Sequence, residues 1–486
     1  MKFIFKYTIP LLLILALAFA SCRKDHNADD NPSLKLSFST DSIIFDTVFT
    51  TLGSITRYLK VYNNHSQALN ISTIRLLGGE ASSYRINVDG QPSVQENDVM
   101  IAGEDSLFVF VRVTIDPTLN TTPFVVSDEI SFITNGNEQS VVLAAWGQDA
   151  HYIIADKSIG SLKYKIVAAE DSAVTWPADK PYLVYGYAVV DSTGSLTIEE
   201  GAQIHFHNKS GLWVYKGGSL KVQGSEDNPV VFQQDRLEPY FRDLPGQWDR
   251  IWLNEGSINN EINYAVIRNG FIGLQAETLQ EPMGNQLILT NTIIENMSGI
   301  GILGRYYAIT GINNVVANCG QLGVLLQGGV YDFRQCTFAN YFKDGIRQDP
   351  NFAMTNYYLD PNDVLYIYNL DAYFGNNIIY GNKSEEMLID SDEQGDFNYT
   401  FDHCLLKTEM NISDEELFPG SIKNQDPIFA DVDNNNLALD SLSPGIDMGS
   451  VDVLNTSPLP AIIDKDILGI SRISSPDMGA YEYIPE

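Results

Sequence analysis

Asp344, Arg347 and Asp349 place two carboxylates and a cation within one short stretch. Aspartates of this kind can hold Ca²⁺ while an arginine removes a proton α to a uronate carboxylate, the chemistry of a metal-assisted lyase. Asp390, Asp392, Glu393 and Asp396 form a second cluster, with Gly395 supplying a tight turn. Hard oxygen ligands at such short spacing suit Ca²⁺, although the EF-hand spacing is absent and a solvated acidic loop is the competing reading. Asp431, Asp433 and Asn434 to Asn436 make a third oxygen-rich stretch, better read as a turn. His205 and His207 flank Phe206 and project to one side of a strand. With no third ligand close in sequence they read as a stacked or solvated pair rather than a metal site. Tyr240, Trp248, Tyr357 and Tyr358 stand beside polar groups and can stack on sugar faces. Alternating aromatics also fill cores, so only one or two such pairs are expected at the surface. Asp466, Arg472 and Asp477 can form a buried ionic clamp over an open end of the fold.

The element that must position most of these residues is a repeat. TNTIIENMSGIGI (290–302), INNVVANCGQLGV (312–324), QCTFANYFKDGI (335–346) and NNIIYGN (376–382) align, with NYAVIRNGFIGL (263–274) as a looser copy. The asparagines closing these segments are Asn269, Asn296, Asn318, Asn340 and Asn382, and two successive spacings are 22 residues. A period of about 22 residues with β-branched segments is too short for a βα unit and fits one coil of a parallel β-helix. Coils stacked about 4.8 Å apart put equivalent side chains in ladders, so Asn296, Asn318, Asn340 and Asn382 are expected to stack at one corner as structural residues. The apolar pairs Ile293-Ile294, Val315-Val316 and Ile378-Ile379 supply the core strand. The excess after Asn340 must loop out, and loops extruded from a solenoid are where such proteins place function.

Upstream the texture differs. Residues 33–150 carry short runs of alternating apolar and polar residues, among them 34–38, 58–62, 107–113, 130–133 and 141–145, separated by turn signals such as Asn63-Asn64, Asp89-Gly90 and Asn135-Gly136. That spacing predicts an antiparallel β-sandwich. At the start, Lys2 and Lys6 precede an apolar run at 9–20 that ends in Phe19-Ala20-Ser21-Cys22. This is a secretory signal, too short for a spanning helix. Residues 22–32 are polar and charged and read as a disordered tether.

Several of these blocks carry resemblances. Small residues before Cys22 resemble the lipoprotein signal, which implies removal of residues 1–21, lipidation of Cys22 and anchoring to the membrane. The charged tail after Cys22, with Arg23 in second place, resembles Gram-negative lipoproteins displayed on the outer membrane, which implies an envelope protein exposed at the cell surface. FDTVFTTLGSITRYLKVYNN with the closing VVLAAWGQD resembles immunoglobulin-like domains of the ASPM/SPD-2/Hydin type, usually spacers. The segment from Gly194 to Ser257, and the closing blocks around 443–447 and 476–482, resemble the right-handed parallel β-helix repeat proteins of pectate-lyase-like fold, which implies architecture without fixing activity. Polygalacturonases on that fold carry NTD, DD, GHG and RIK motifs in their coils; none occurs in the solenoid here. Asp41-Ser42-Ile43, Asp46-Thr47-Val48 and Asp105-Ser106-Leu107 resemble an envelope O-glycosylation sequon and are also ordinary words of a β-rich sequence.

Composition narrows the partners. The 486 residues hold 62 acidic and 30 basic side chains, a formal charge of −32. Nucleic-acid binding through phosphate neutralisation is disfavoured. Beyond Cys22, the cysteines Cys319, Cys336 and Cys404 spell neither a disulfide framework nor a CxxC metal site and read as small buried core residues. The expectation is an all-β chain: signal 1–21, tether 22–32, immunoglobulin-like β-sandwich 33–150 and right-handed parallel β-helix with a C-terminal cap 151–486. Its expected role is noncatalytic binding or adhesion at the envelope, with glycans favoured, no resident cofactor, and Ca²⁺ as the one candidate ion. A polysaccharide lyase or glycoside hydrolase, and a scaffold for another envelope protein, are the alternatives. A carboxylate row with a cation on one solenoid face would favour the enzyme, and exposed stacked aromatics would favour binding.

Overall fold

The computed structural model describes residues 28–49, 54, 56–88, 90, 92–115, 124–238, 240–254, 256–278, 286–455 and 462–485. The signal, Cys22, Asp89 and the side chains of Asp46 and Thr47 lie outside the described residues. The chain is all-β, an immunoglobulin-like sandwich followed by a right-handed parallel β-helix. It divides into two compact units at Asp149 and Ala150.

In the first unit two five-stranded sheets face each other. Alternation puts Leu59, Val61, Val109 and Val111 of one sheet against Ile71, Ile74, Phe132 and Leu143 of the other, all fully buried. The sheets are not wholly antiparallel as the sequence predicted. Ser42–Phe49 runs parallel to Asn137–Gln148, with a bulge between Ala145 and Trp146. Of the expected tether, residues 28–32 are tied down: Asp29 N–H donates to the Ala68 carbonyl at 2.9 Å, and Asn137 Nδ2 donates to the Pro32 carbonyl at 2.8 Å.

The second unit coils into three columns of parallel strands. One runs from His151–Ile154 through Val230–Gln234, Val315–Ala317 and Thr337–Asn340 to Ile422–Lys423. The other two are joined into a bent sheet because Ile300–Ile312 and Val324–Arg334 are long enough to turn the corner and pair in both. Parallel crossovers of this kind are right-handed. Inside, aromatic rings follow the coils: Phe333 stacks on Phe374 at 6.0 Å, Phe374 on Phe401 at 4.6 Å, and Phe401 on Phe418 at 5.7 Å.

The corners explain the asparagines. Asn269, Asn296 and Asn318 have φ of 65°, 57° and 51°, and Asn291 and Asn313 have 48° and 54°. Asparagine tolerates this left-handed region better than other residues with a Cβ. The predicted single ladder is broken. Asn296 Nδ2 donates to Asn269 Oδ1 at 2.6 Å, but Asn318 turns its amide to Asn435, Asn340 reaches the Cys319 carbonyl, and Asn382 accepts from Arg347. For Asn318 and Asn382 the reason is the chain packed outside: the C-terminal segment and the loop after Asn340 offer nearer partners. A second ladder, Asn263–Asn291–Asn313, is unbroken at 2.9 and 3.0 Å. A third runs inside. The Asn314 backbone N–H donates to Cys336 Sγ at 3.4 Å, the Cys336 N–H to Asn377 Oδ1 at 2.7 Å, and the Asn377 N–H to Cys404 Sγ at 3.4 Å.

The C-terminal segment differs from the expected cap. Phe429, Leu437, Leu439, Met478 and Ala480 pack on Val315, Ala339, Ile378 and Leu405, the outward-facing residues of the first column. Each apolar pair therefore buries one member inside the coil and one under this flap. Arg472, wholly buried, donates to the Gly479 and Ala480 carbonyls and pairs with Glu482 at 3.4 Å, so it fastens the flap. Asp466 and Asp477 spend their carboxylates on nearby backbone N–H groups. The last coil is covered instead by Leu417 and Phe418.

Candidate functional site

The outer face of the bent sheet carries the best-organised polar and aromatic surface. In register across it run Glu277, Arg305, Gln327, Thr355 and Asp390, one residue from each successive coil. Beside Glu277 on the same face, Trp213 and Trp252 stack at 5.1 Å. Glu277 accepts from Trp252 Nε1 at 2.9 Å, from Asn254 Nδ2 at 3.1 Å and from Arg305 Nη1 at 3.2 Å. Arg305 also donates from Nε to Gln327 at 3.0 Å, and its guanidinium lies 4.2 Å over the Tyr358 ring. A cation held over an aromatic face and bonded to a carboxylate is fixed in position.

Tyr358 belongs to a hairpin, Tyr357–Leu359 with Leu365–Ile367, that loops out between coils. Its ring lies within a column: Tyr366 stacks on it at 5.0 Å, Tyr368 at 6.1 Å, and Tyr306 stacks on Tyr368 at 4.0 Å. All four are half-buried. The Tyr358 and Tyr368 hydroxyls share a hydrogen bond within the column. Tyr366 ends it. Burial, then the nearby Tyr358, pushes the Tyr368 phenol up to about 12; burial also raises Tyr358. Both stay neutral donors at neutral pH.

The residues singled out by sequence are placed variously. Tyr357 and Tyr358 lie at this face, where Tyr357 donates its hydroxyl to Asp390. Trp248 does not line it or any surface. It is buried, stacked 4.5 Å from Phe206, with Nε1 donating to the Arg268 carbonyl at 2.8 Å. Tyr240 is 77% exposed in the loop after Val230–Gln234, edge-on to Phe241, in a different part of the coil.

Asp344, Arg347 and Asp349 form no common site. The two aspartates are exposed, while Arg347 is buried and clamps Glu386 through two bonds of 2.6 Å. Glu386 in turn accepts the Asn351 and Lys383 N–H groups, so this pair pins the loop to the solenoid. The acidic stretch 390–396 is a turn clamped by buried Asn356, which accepts from the Asp392 N–H and donates to the Asp392 and Gly395 carbonyls. The carboxylates of Asp390, Asp392, Glu393 and Asp396 do not converge, and no group of three potential metal ligands occurs among the described residues. Asp431 caps its own turn, accepting from Asp433 and Asn434 N–H groups. His205 is buried and bonded to the Gln234 carbonyl; desolvation pushes it down to about 4. His207 is exposed, so the two imidazoles share no ligand role.

Sequence reasoning missed Glu277, Arg305, Tyr366 and Tyr368. The repeat offered one signal, because Arg305 and Gln327 are 22 residues apart and so fall in one ladder.

The fold defines the class, a sandwich joined to a parallel β-helix. Within it, residues 168–263 match the family model described as a pectate-lyase-like beta helix domain. No curated protein matches the chain. Among solved structures, it is similar to the PapD-like domain 7 of human CEP192, at 10% identity, covering 26% of this chain and 94% of that one, with a TM-score of 0.17. It is also similar to the catalytic domain of a GH87 α-1,3-glucanase variant in complex with tetrasaccharides, at 9% identity, covering 76% and 91%, with a TM-score of 0.17.

Proposed function

We propose that the protein is a lipid-anchored envelope protein, exposed at the cell surface through Cys22, that binds glycans without turning them over. The observation that carries the binding reading is the fixed tyrosine column with Arg305 and Glu277 beside it. Such a surface offers a sugar the terminal Tyr366 ring for stacking, with the guanidinium of Arg305 held in place beside the column by Glu277 and Gln327. Preorganisation lowers the entropy lost on binding.

The spacing of the carboxylates speaks against hydrolysis on this face. Glu277 and Asp390 are four coils apart in register, about 19 Å at roughly 4.8 Å per coil, whereas glycosidase pairs stand about 5 to 10 Å apart. Glu277 is moreover spent on three donors. The test is a glycan-array screen with and without Ca²⁺, with every hit assayed for unsaturated or reducing-end products. Binding without products that weakens at least tenfold in Tyr366→Ala and Arg305→Gln supports the proposal; product formation would overturn it.

A further inference from the structure

A cavity of about 430 Å³ opens beside the first coils of the solenoid, well away from the tyrosine column. Its lining is an exception to the chain's composition. In a protein with 62 acidic and 30 basic residues, no carboxylate lines it, while Lys163, Lys209 and His207 do. Both lysines are exposed, and neither is ion-paired among the described residues. Two unpaired ammonium groups on so acidic a chain are a local concentration of positive charge.

His207 is oriented from behind. Asp235, with a side chain only 9% exposed, holds Nδ1 at 2.7 Å, and the Tyr185 ring stacks on the imidazole at 4.5 Å. That leaves Nε2 as the nitrogen able to meet a ligand. Ile154, Leu162 and Tyr185 give the cavity an apolar side, and its volume is that of a small-molecule site. The donor set also discriminates among anions. A planar carboxylate is best met by the two-pronged guanidinium of arginine, and no arginine lines the cavity. Three single-point donors, Lys163 from one segment and His207 and Lys209 from another, suit a tetrahedral oxyanion.

We propose that this cavity binds a sulfate or phosphate ester carried on a sugar-sized molecule, the oxyanion meeting Lys163, Lys209 and His207 and the carrier resting on the apolar wall. The site is independent of the tyrosine face, so either can fail without the other. Protonation of His207 adds a third charge. The groups facing it are Asp235 and Tyr185 from neighbouring coils, Arg236, and the lysines. The hydrogen bond from Asp235 outweighs burial and Arg236, raising the imidazole above its ordinary value. Affinity therefore rises as the pH falls through that titration.

Calorimetry of the full protein at low salt with glucose 6-sulfate, glucose 6-phosphate, glucuronic acid and inorganic sulfate tests this. The expected result is that at least one ester binds tenfold or more tightly than glucuronic acid and than inorganic sulfate. That binding should weaken at least tenfold in Lys163→Gln/Lys209→Gln, whose melting temperature stays unchanged because both side chains are exposed. Which ester binds tighter assigns the oxyanion. In His207→Gln the pH dependence should disappear. No binding of either ester, equal binding of glucuronic acid, equal binding of bare sulfate, or full affinity in the double lysine variant would each overturn the proposal.

Discussion

At the residue scale, the chemistry that looks reactive in the sequence is mostly spent on holding the chain. Arg347 faces Glu386, Asp392 belongs to the Asn356 turn, and Trp248 fills the core against Phe206. Local spacing could not reveal this, because each partner comes from a different coil. The cysteines were legible: all three are buried, and burial pushes the thiols of Cys319 and Cys336 up to about 12 and raises Cys404 as well. A thiol alkylates as its thiolate. In the native protein none of the three should react with iodoacetamide at pH 8 within an hour, while all three should react in denaturant, as mass spectrometry will show. The histidine pair was misread, since the strand ends at Phe206 and leaves His207 beyond it, where Asp235 from the next coil holds it. The raised pKa of His207 has a sign consequence for stability. Its contribution is fully present below the unfolded-state value of about 6.5 and is lost as pH rises through the folded value. The melting temperature of Asp235→Asn should therefore fall below that of the parent at pH 5.5 by more than at pH 9.

At the element scale, the asparagine period disclosed the coil but not its three columns. The repeat was visible because left-handed corners select asparagine, and corners recur once per coil. The second ladder, Asn263–Asn291–Asn313, went unread because its first member, Asn263, ends a strand one residue before the left-handed corner, which Tyr264 occupies in that coil. Asn291→Ala removes both amide bonds of that ladder and puts a Cβ other than asparagine's at φ 48°. It should lower stability by about 1–3 kcal/mol in urea unfolding. The interior ring column is a different matter. Phe374 is fully buried between Phe333 and Phe401, and Phe374→Ala should cost about 3–5 kcal/mol. The flap over the first column was misread as an end cap because both positions need apolar residues, and only the alternation of Val315 and Val316 between outside and inside distinguishes them.

At the scale of the whole molecule, the fold class was legible throughout and the proposed binding face was not. Strand alternation, turn signals and the 22-residue period each report on contacts between neighbours in sequence or in ladder, which is all that a sandwich and a solenoid require. The face at Tyr358 is built from the residues left over, where a hairpin returns to a sheet made by three earlier coils. Two of its members, Tyr357 and Tyr358, were visible as an aromatic pair; Glu277 and Arg305 acquire meaning only through the hydrogen bonds between coils. A column of stacked coils bearing an aromatic, charge-balanced patch fits the proposed binding role. The most direct test is the glycan array of the parent protein against Tyr366→Ala, with product analysis on every hit. The account predicts a defined set of bound glycans that remain intact and whose binding weakens at least tenfold in the variant. Cleaved glycans, or binding that the variant leaves unchanged, would contradict it.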